Sequence, residues 1–246
     1  MPFRPRLALA ALASLSALTQ SPAAHASCGS AFCSLSTDFG ADAIGLTEGG
    51  RLDLRYEQID QRQPRAGSRK VGVGDIPADH DEVSTRNRNL IATYSRNYAS
   101  GWGFSIAAPL VERQHFHLRN EDDGGQLPQR WSFTELGDVR ITGRYQRVVS
   151  GLGESNGTGG LTFGVKLPTG RFDVANADGD VAERSLQPGS GTIDAIVGAF
   201  VNQPMPASSS SWFAQAQLQH ALDTRDGFRP GHMLTADVGY AKVLSD

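Results

Sequence analysis

The chain has 246 residues, a formal net charge of −3 and a hydrophobic content of 39%. This balance carries no basic footprint for nucleic acid, and no stretch beyond the N-terminus approaches the roughly 20 apolar residues of a spanning helix. Short alternating strands closing into a barrel would escape that second test.

Arg4 and Arg6 precede the apolar run from Leu7 to Leu18, and Ala24-His25-Ala26 has the A-x-A form of a cleavage site. Residues 1–26 therefore read as a secretory signal peptide, excluded from the fold. Cys28 follows closely, but His25 stands where a lipobox needs leucine, so lipidation is discounted. Cys28 and Cys33 are the two cysteines of the chain, and export makes a disulfide between them the expectation. Neither C-x-x-C nor C-x-x-C-H is present, which weakens a metal or haem reading. Residues 27–47 are small and polar, without periodicity, and read as a periplasmic lead-in segment.

From residue 48 onward the pattern has period two, the mark of strands with one apolar and one polar face. Leu52, Leu54 and Tyr56 make the first stripe, between residues 50 and 58. After a long polar stretch over 60–84, a second strand near 87–98 sets Leu90, Ala92 and Tyr94 on one face. A short link, 99–101, leads to Trp102, Phe104, Ile106, Ala108 and Leu110, an unbroken third stripe. Another polar stretch over 119–132 reads as a loop, and Val139, Ile141, Gly143 and Tyr145 form the fourth strand. A glycine-rich turn over 151–159 precedes the fifth, with Leu161, Phe163, Val165 and Leu167 opposite Thr162, Gly164 and Lys166. The polar stretch 172–190 is the third long loop. Ile193 to Val201, Trp212 to Leu218 and Leu234 to Tyr240 supply three more stripes.

Connections thus alternate long and short, as in outer-membrane barrels whose periplasmic turns are short and extracellular loops long. Tyr56, Tyr94, Trp102, Tyr145, Trp212 and Tyr240 lie near stripe ends, as interfacial girdles would require. Charges sit opposite the stripes, where a dry core would tolerate them poorly. Arg55, Glu57, Arg140, Arg144 and Lys166 are the candidates to line a hydrated lumen. The expected fold is all-β: an up-and-down antiparallel transmembrane β-barrel, with about eight strands over residues 48–246.

Three glycine-rich motifs sharpen this. Leu136-Gly137-Asp138-Val139 running into Gly143-Arg144-Tyr145, then Leu167-Pro168-Thr169-Gly170, then Gln187-Pro188-Gly189-Ser190-Gly191, resemble the outer-membrane transporter family of the phenol-degradation meta-pathway type. The resemblance covers roughly residues 48–246. It implies a Gram-negative outer-membrane β-barrel and does not name a substrate. Barrels of this kind usually finish on a strand ending in an aromatic residue read by the assembly machinery. Here the end is Ala241-Lys242-Val243-Leu244-Ser245-Asp246, so a C-terminally incomplete barrel is expected.

Other polar clusters are weaker. His115 and His117 share a face of an extended segment, where they could share a metal, but Arg113 and Arg119 share that parity and disfavour a cation. Asp79-His80-Asp81-Glu82 reads as a solvated loop with a lesser option for Ca²⁺. Asn176-Ala177-Asp178-Gly179-Asp180 fails as an EF-hand, because Val174 and Ser185 occupy the positions that need carboxylates. No metal site and no cofactor are assigned. No H-E-x-x-H or phosphate-cradling motif is present, and no catalytic residue is named. The leading expectation is a channel or transporter for small solutes, not an enzyme. Its partners would be outer-membrane lipid, lipopolysaccharide, a small solute and the assembly machinery. A structural or surface-binding barrel with a plugged lumen is the alternative, and an outer-membrane enzyme with a spatially assembled triad the third.

Overall fold

The structure, a computed structural model, describes residues 48–150 and 155–244. The expected signal peptide, the expected lead-in segment and the pair Cys28 and Cys33 lie outside the described residues. Five strands make the first half: β1 (Gly49–Gln61), a small hairpin of β2 (Arg65–Ala66) and β3 (Arg69–Lys70), β4 (His80–Asn97) and β5 (Trp102–Asn120). Then come β6 (Gln126–Leu136), β7 (Val139–Val149), β8 (Gly157–Leu167), β9 (Asp194–Met205), β10 (Ser210–Ala221) and β11 (Met233–Lys242).

All but β2 and β3 belong to one antiparallel sheet in the order β1-β4-β5-β7-β8-β9-β10-β11, with β6 also on β5. Strands β6 and β7 act as one long strand with a break. Leu110 faces Leu136 while Ala107 faces Arg140, so two residues of β5 oppose three across Gly137 and Asp138. Counted that way, eight strands run up and down as a meander that curls into a half-barrel. The all-β expectation holds. β1 and β11 are the two edges of the described sheet.

The tight connections 98–101 and 206–209 lie at one end, and 62–79, 168–193 and 222–232 at the other. One expected loop is mostly strand. Residues 119–132 complete β5 and begin β6, joined by a turn over 121–125. The outward positions of β6 include Arg130, Ser132 and Thr134, so no apolar stripe announces it. Likewise β4 begins at His80, and a bulge between Glu82 and Ser84 shifts its register against β5. Below the bulge Thr85 faces His115; above it Glu82 faces His117. The extra residue, Val83, turns His80 and Glu82 onto the same concave face as His115 and His117, because side chains alternate strictly with period two.

The two faces are inverted relative to a protein folded around an oily core. Among the described residues eight hydrophobic side chains are buried, against seventeen polar or charged ones. Asn87, Asn89, Arg113, His115, Lys166 and Gln215 are among the latter. Outward, Leu52 is 67% exposed, Leu161 59%, Val197 55% and Leu234 72%. The buried apolar cluster found among the described residues is small: Trp131, Ala182 and Leu186 with Phe133 beside them, where the loop 168–193 packs against β6.

Candidate functional site

The five residues expected in the lumen all project from the concave face by register. Arg55 pairs with Ile91, Glu57 with Asn89, Arg140 with Ala107 and Lys166, and Arg144 with Gly103. Arg55 and Glu57 form an ion pair at 3.1 Å, which Asn89 Nδ2 joins by donating to Glu57 at 3.3 Å. The Arg144 guanidinium lies 3.9 Å from the centroid of the Phe200 ring. Four of the five are half-buried.

Lys166 is different. It is 3% exposed, and its ammonium donates to Asp138 at 2.8 Å, to the Thr192 carbonyl at 3.0 Å and to Ser190 Oγ, with Asp194 at 3.3 Å. Asp138 also accepts from the Gly170 N–H at 3.0 Å and the Ser190 N–H at 2.9 Å. Charge-assisted bonds of this number satisfy a carboxylate that would otherwise be costly to bury. The three glycine-rich motifs therefore meet at one point, which ties the loop 168–193 to the break between β6 and β7. Thr169 Oγ1 adds two more bonds there, accepting from Val139 N–H at 2.9 Å and donating to the Gly137 carbonyl at 3.0 Å.

The close approach explains a glycine. A Cβ at Gly189 would lie 2.4 Å from the Gly170 oxygen and 2.6 Å from Asp138 Oδ1. Gly189→Ala is expected to destabilise the fold by about 1–3 kcal/mol through overpacking and to speed protease cleavage between residues 172 and 186. Limited proteolysis with mass spectrometry reads both the rate and the cut site.

A second polar cluster occupies the loop end of the sheet. Thr85 Oγ1 lies 2.8 Å from His115 Nδ1, His115 Nε2 lies 3.1 Å from His117 Nδ1, and His117 Nε2 lies 2.8 Å from Gln129 Oε1. Gln129 Nε2 donates to Asp180 Oδ2 at 2.7 Å, and Trp131 Nε1 donates to the Asp180 carbonyl at 2.9 Å. Because an amide oxygen only accepts, His117 carries its hydrogen on Nε2, His115 donates to it, and Thr85 donates to His115. The hydrogen bonds run one way, from Thr85 to the Asp180 carboxylate.

His80 stacks on His117 with centroids 4.6 Å apart. Its Nε2 is 3.3 Å from Glu82 Oε1 and 3.3 Å from Glu183 Oε1. His80, His117 and Glu183 rim a cavity of about 380 Å³ that also touches Asp79, Arg119, Gln129, Trp131 and Asp180, and Glu82 stands beside it on His80. The two runs read separately from sequence, 79–82 and 115–117, are thus one cluster. Asn176-Asp180 enters it as well: Asn176 Oδ1 accepts from the Asp178 and Asp180 N–H groups at 3.0 and 2.8 Å, a closed turn that presents Asp180.

No family model matches the chain, and no curated protein matches it. Sequence reasoning missed Glu183, Gln129, Trp131 and Asp194 as members of these clusters. Asp194 had a faint signal, since it opens the sixth stripe on the polar side. Asp138 and Ser190 were visible only as motif letters. For the loop residues nothing in the chain order pointed to β4 or β5.

Proposed function

We propose that this chain is an outer-membrane β-barrel that passes small solutes through a charged, hydrated lumen, with no chemistry of its own. The observation that carries the reading is the inversion of the two faces. In water alone, exposing Leu52, Leu161, Val197 and Leu234 while burying Arg113 and Lys166 is unfavourable on both sides. Lipid outside and water inside matches both. The outward stripe from Trp102 to Leu110 covers about 26 Å of strand at roughly 3.3 Å per residue. At a tilt of about 40° that is ~20 Å of height, close to the apolar band of such barrels. Beyond it the outward face turns charged, with Arg88 and Glu112 paired at 3.0 Å and Arg86 and Asp60 at 2.5 Å.

Residues 1–26 supply the export signal, and the long loops face the cell exterior, where lipopolysaccharide and small solutes are met. The resemblance to the phenol-degradation meta-pathway transporters agrees, since its motifs gather where a loop is tied into the lumen. In planar lipid bilayers the purified full-length protein is expected to give discrete conductance steps. Reversing Arg140 and Arg144 together to glutamate should move ion selectivity toward cations, as charged linings select by sign. Silent bilayers, with the protein shown to be inserted, would overturn the conduit. One observation favours a plugged barrel instead: Gln187, Ser190 and Thr192, all in the loop 168–193, are fully buried. Conductance that is present only when that loop is released would select the plugged form.

A further inference from the structure

We propose that the cluster of His80, Glu82 and His117 is a binding site for a divalent first-row transition ion, with Glu183 as a fourth ligand. One ligating atom from each of the first three lies within 4.8 Å of the others. A tetrahedral ion with ligands near 2.1 Å holds them about 3.4 Å apart. His80 Nε2 already stands at that separation from both Glu82 and Glu183, at 3.3 Å each. Closing on His117 from within 4.8 Å takes a side-chain rotation, with one ring nitrogen exchanging its present hydrogen bond for the metal.

Three features go beyond a chance meeting of polar groups. First, the bulge at Val83 is the backbone device that brings His80 and Glu82 to the face carrying His117. Second, the charge balance suits a dication. Glu82 and Glu183 bring two negative charges, while the Arg119 guanidinium, which argued against a cation from sequence, is engaged by Glu121 at 2.7 Å. Arg113 is fully buried, bonded to Asn87, two residues along the strand from His115. Third, His117 is held from behind. Its Nε2–H is fixed by Gln129, which is fixed by Asp180, the outer-shell support that orients a ligating imidazole and raises its basicity. Two imidazoles and carboxylates are a borderline donor set, which suits Zn²⁺, Co²⁺ or Ni²⁺ better than Ca²⁺. Glu82 and Glu183 are exposed, and Glu183 lines the cavity with His80 and His117, so an ion can reach the cluster from solvent.

The test is a calorimetric titration of the full chain, folded in detergent micelles, with Zn²⁺, repeated with Co²⁺ while its visible absorption is followed. One ion per chain is expected, with the intense d–d bands of a four-coordinate Co²⁺ site. His80→Ala and Glu82→Gln, which each remove a partly exposed ligand, should each weaken binding at least tenfold, and Gln129→Leu about 10–100-fold. His220→Ala disrupts the other facing imidazole pair, His220 with His232 at 2.7 Å, and should change nothing. Circular dichroism checks that each variant keeps the parent fold; if His80→Ala loses it, Glu82→Gln decides. Absence of stoichiometric binding overturns the site. So does binding that survives both substitutions or is lost in His220→Ala.

Discussion

Asp138→Ala is expected to cost about 3–5 kcal/mol, the loss typical of breaking a buried ion pair by deleting one partner. The carboxylate stands at the centre of its cluster. It accepts from Lys166 Nζ at 2.8 Å, from Gly170 N–H at 3.0 Å, and from Ser190 through both N–H at 2.9 Å and Oγ at 3.0 Å. Alanine leaves two buried N–H groups unmet and an ammonium that is 3% exposed with Asp194 as its one remaining carboxylate. Denaturant unfolding of the micelle-folded protein measures the loss directly. Asp138→Asn keeps the shape while removing the charge, so it should fall between the parent and alanine. The same change has a functional readout. With its anchor gone the loop 168–193 is held by its apolar contacts at Trp131 and by the Asp180 bonds to Gln129 and Trp131. Single-channel conductance should then rise relative to the parent. A variant that unfolds like the parent would show that this cluster does not anchor the loop.

The alternating stripes made most of the sheet legible, because period two with one apolar face is a local property of the chain. Leu161 to Leu167 became β8, and the polar side chains opposite each stripe fell on the concave face by register alone. What stayed hidden was set by partners distant in sequence. β6 lacks a stripe because its outward positions are polar, so its alternation carries no hydrophobic signal. Its Arg130 instead lies 3.6 Å from the Phe116 ring centroid on the neighbouring strand. The bulge at Val83 reversed the parity of His80 and Glu82, and without it a strict count places them on the opposite face from His117. Neither residue type nor spacing announces such a bulge. Glu183 and Asp180 reach the same cavity through a loop whose course is fixed by buried Gln187 and by contacts at Trp131. The motif letters Asp138, Gly170 and Ser190 were readable as a family likeness, but that they touch one another belongs to the fold.

Val197→Arg separates the membrane reading from a water-soluble one more sharply than any loss of function. Val197 is the middle residue of the outward stripe Ile193, Ala195, Val197, Ala199 and Val201, and it is 55% exposed. Its cross-strand neighbours are Phe163 on β8 and Leu218 on β10, both outward and apolar. If that face met water, arginine there would be within about 0.5 kcal/mol of neutral, as most exposed substitutions are. If it meets lipid near the bilayer midplane, the guanidinium costs about 2–4 kcal/mol. The expected result is a strong fall in the heat-modifiable, folded band of the outer-membrane fraction, with the protein accumulating unfolded. Gln217→Arg is the matched control. Gln217 lies on the concave face opposite Gly198, in line with the polar side chains of Gln215 and Gln219. That variant should assemble as the parent does. Equal assembly of both variants would mean that Val197 does not face lipid, and the outer-membrane proposal would fall with it. The asymmetry between the two arginines is the energetic form of the inversion already seen in burial: a charge is excluded where the chain exposes valine and leucine, and tolerated where it buries glutamine and arginine.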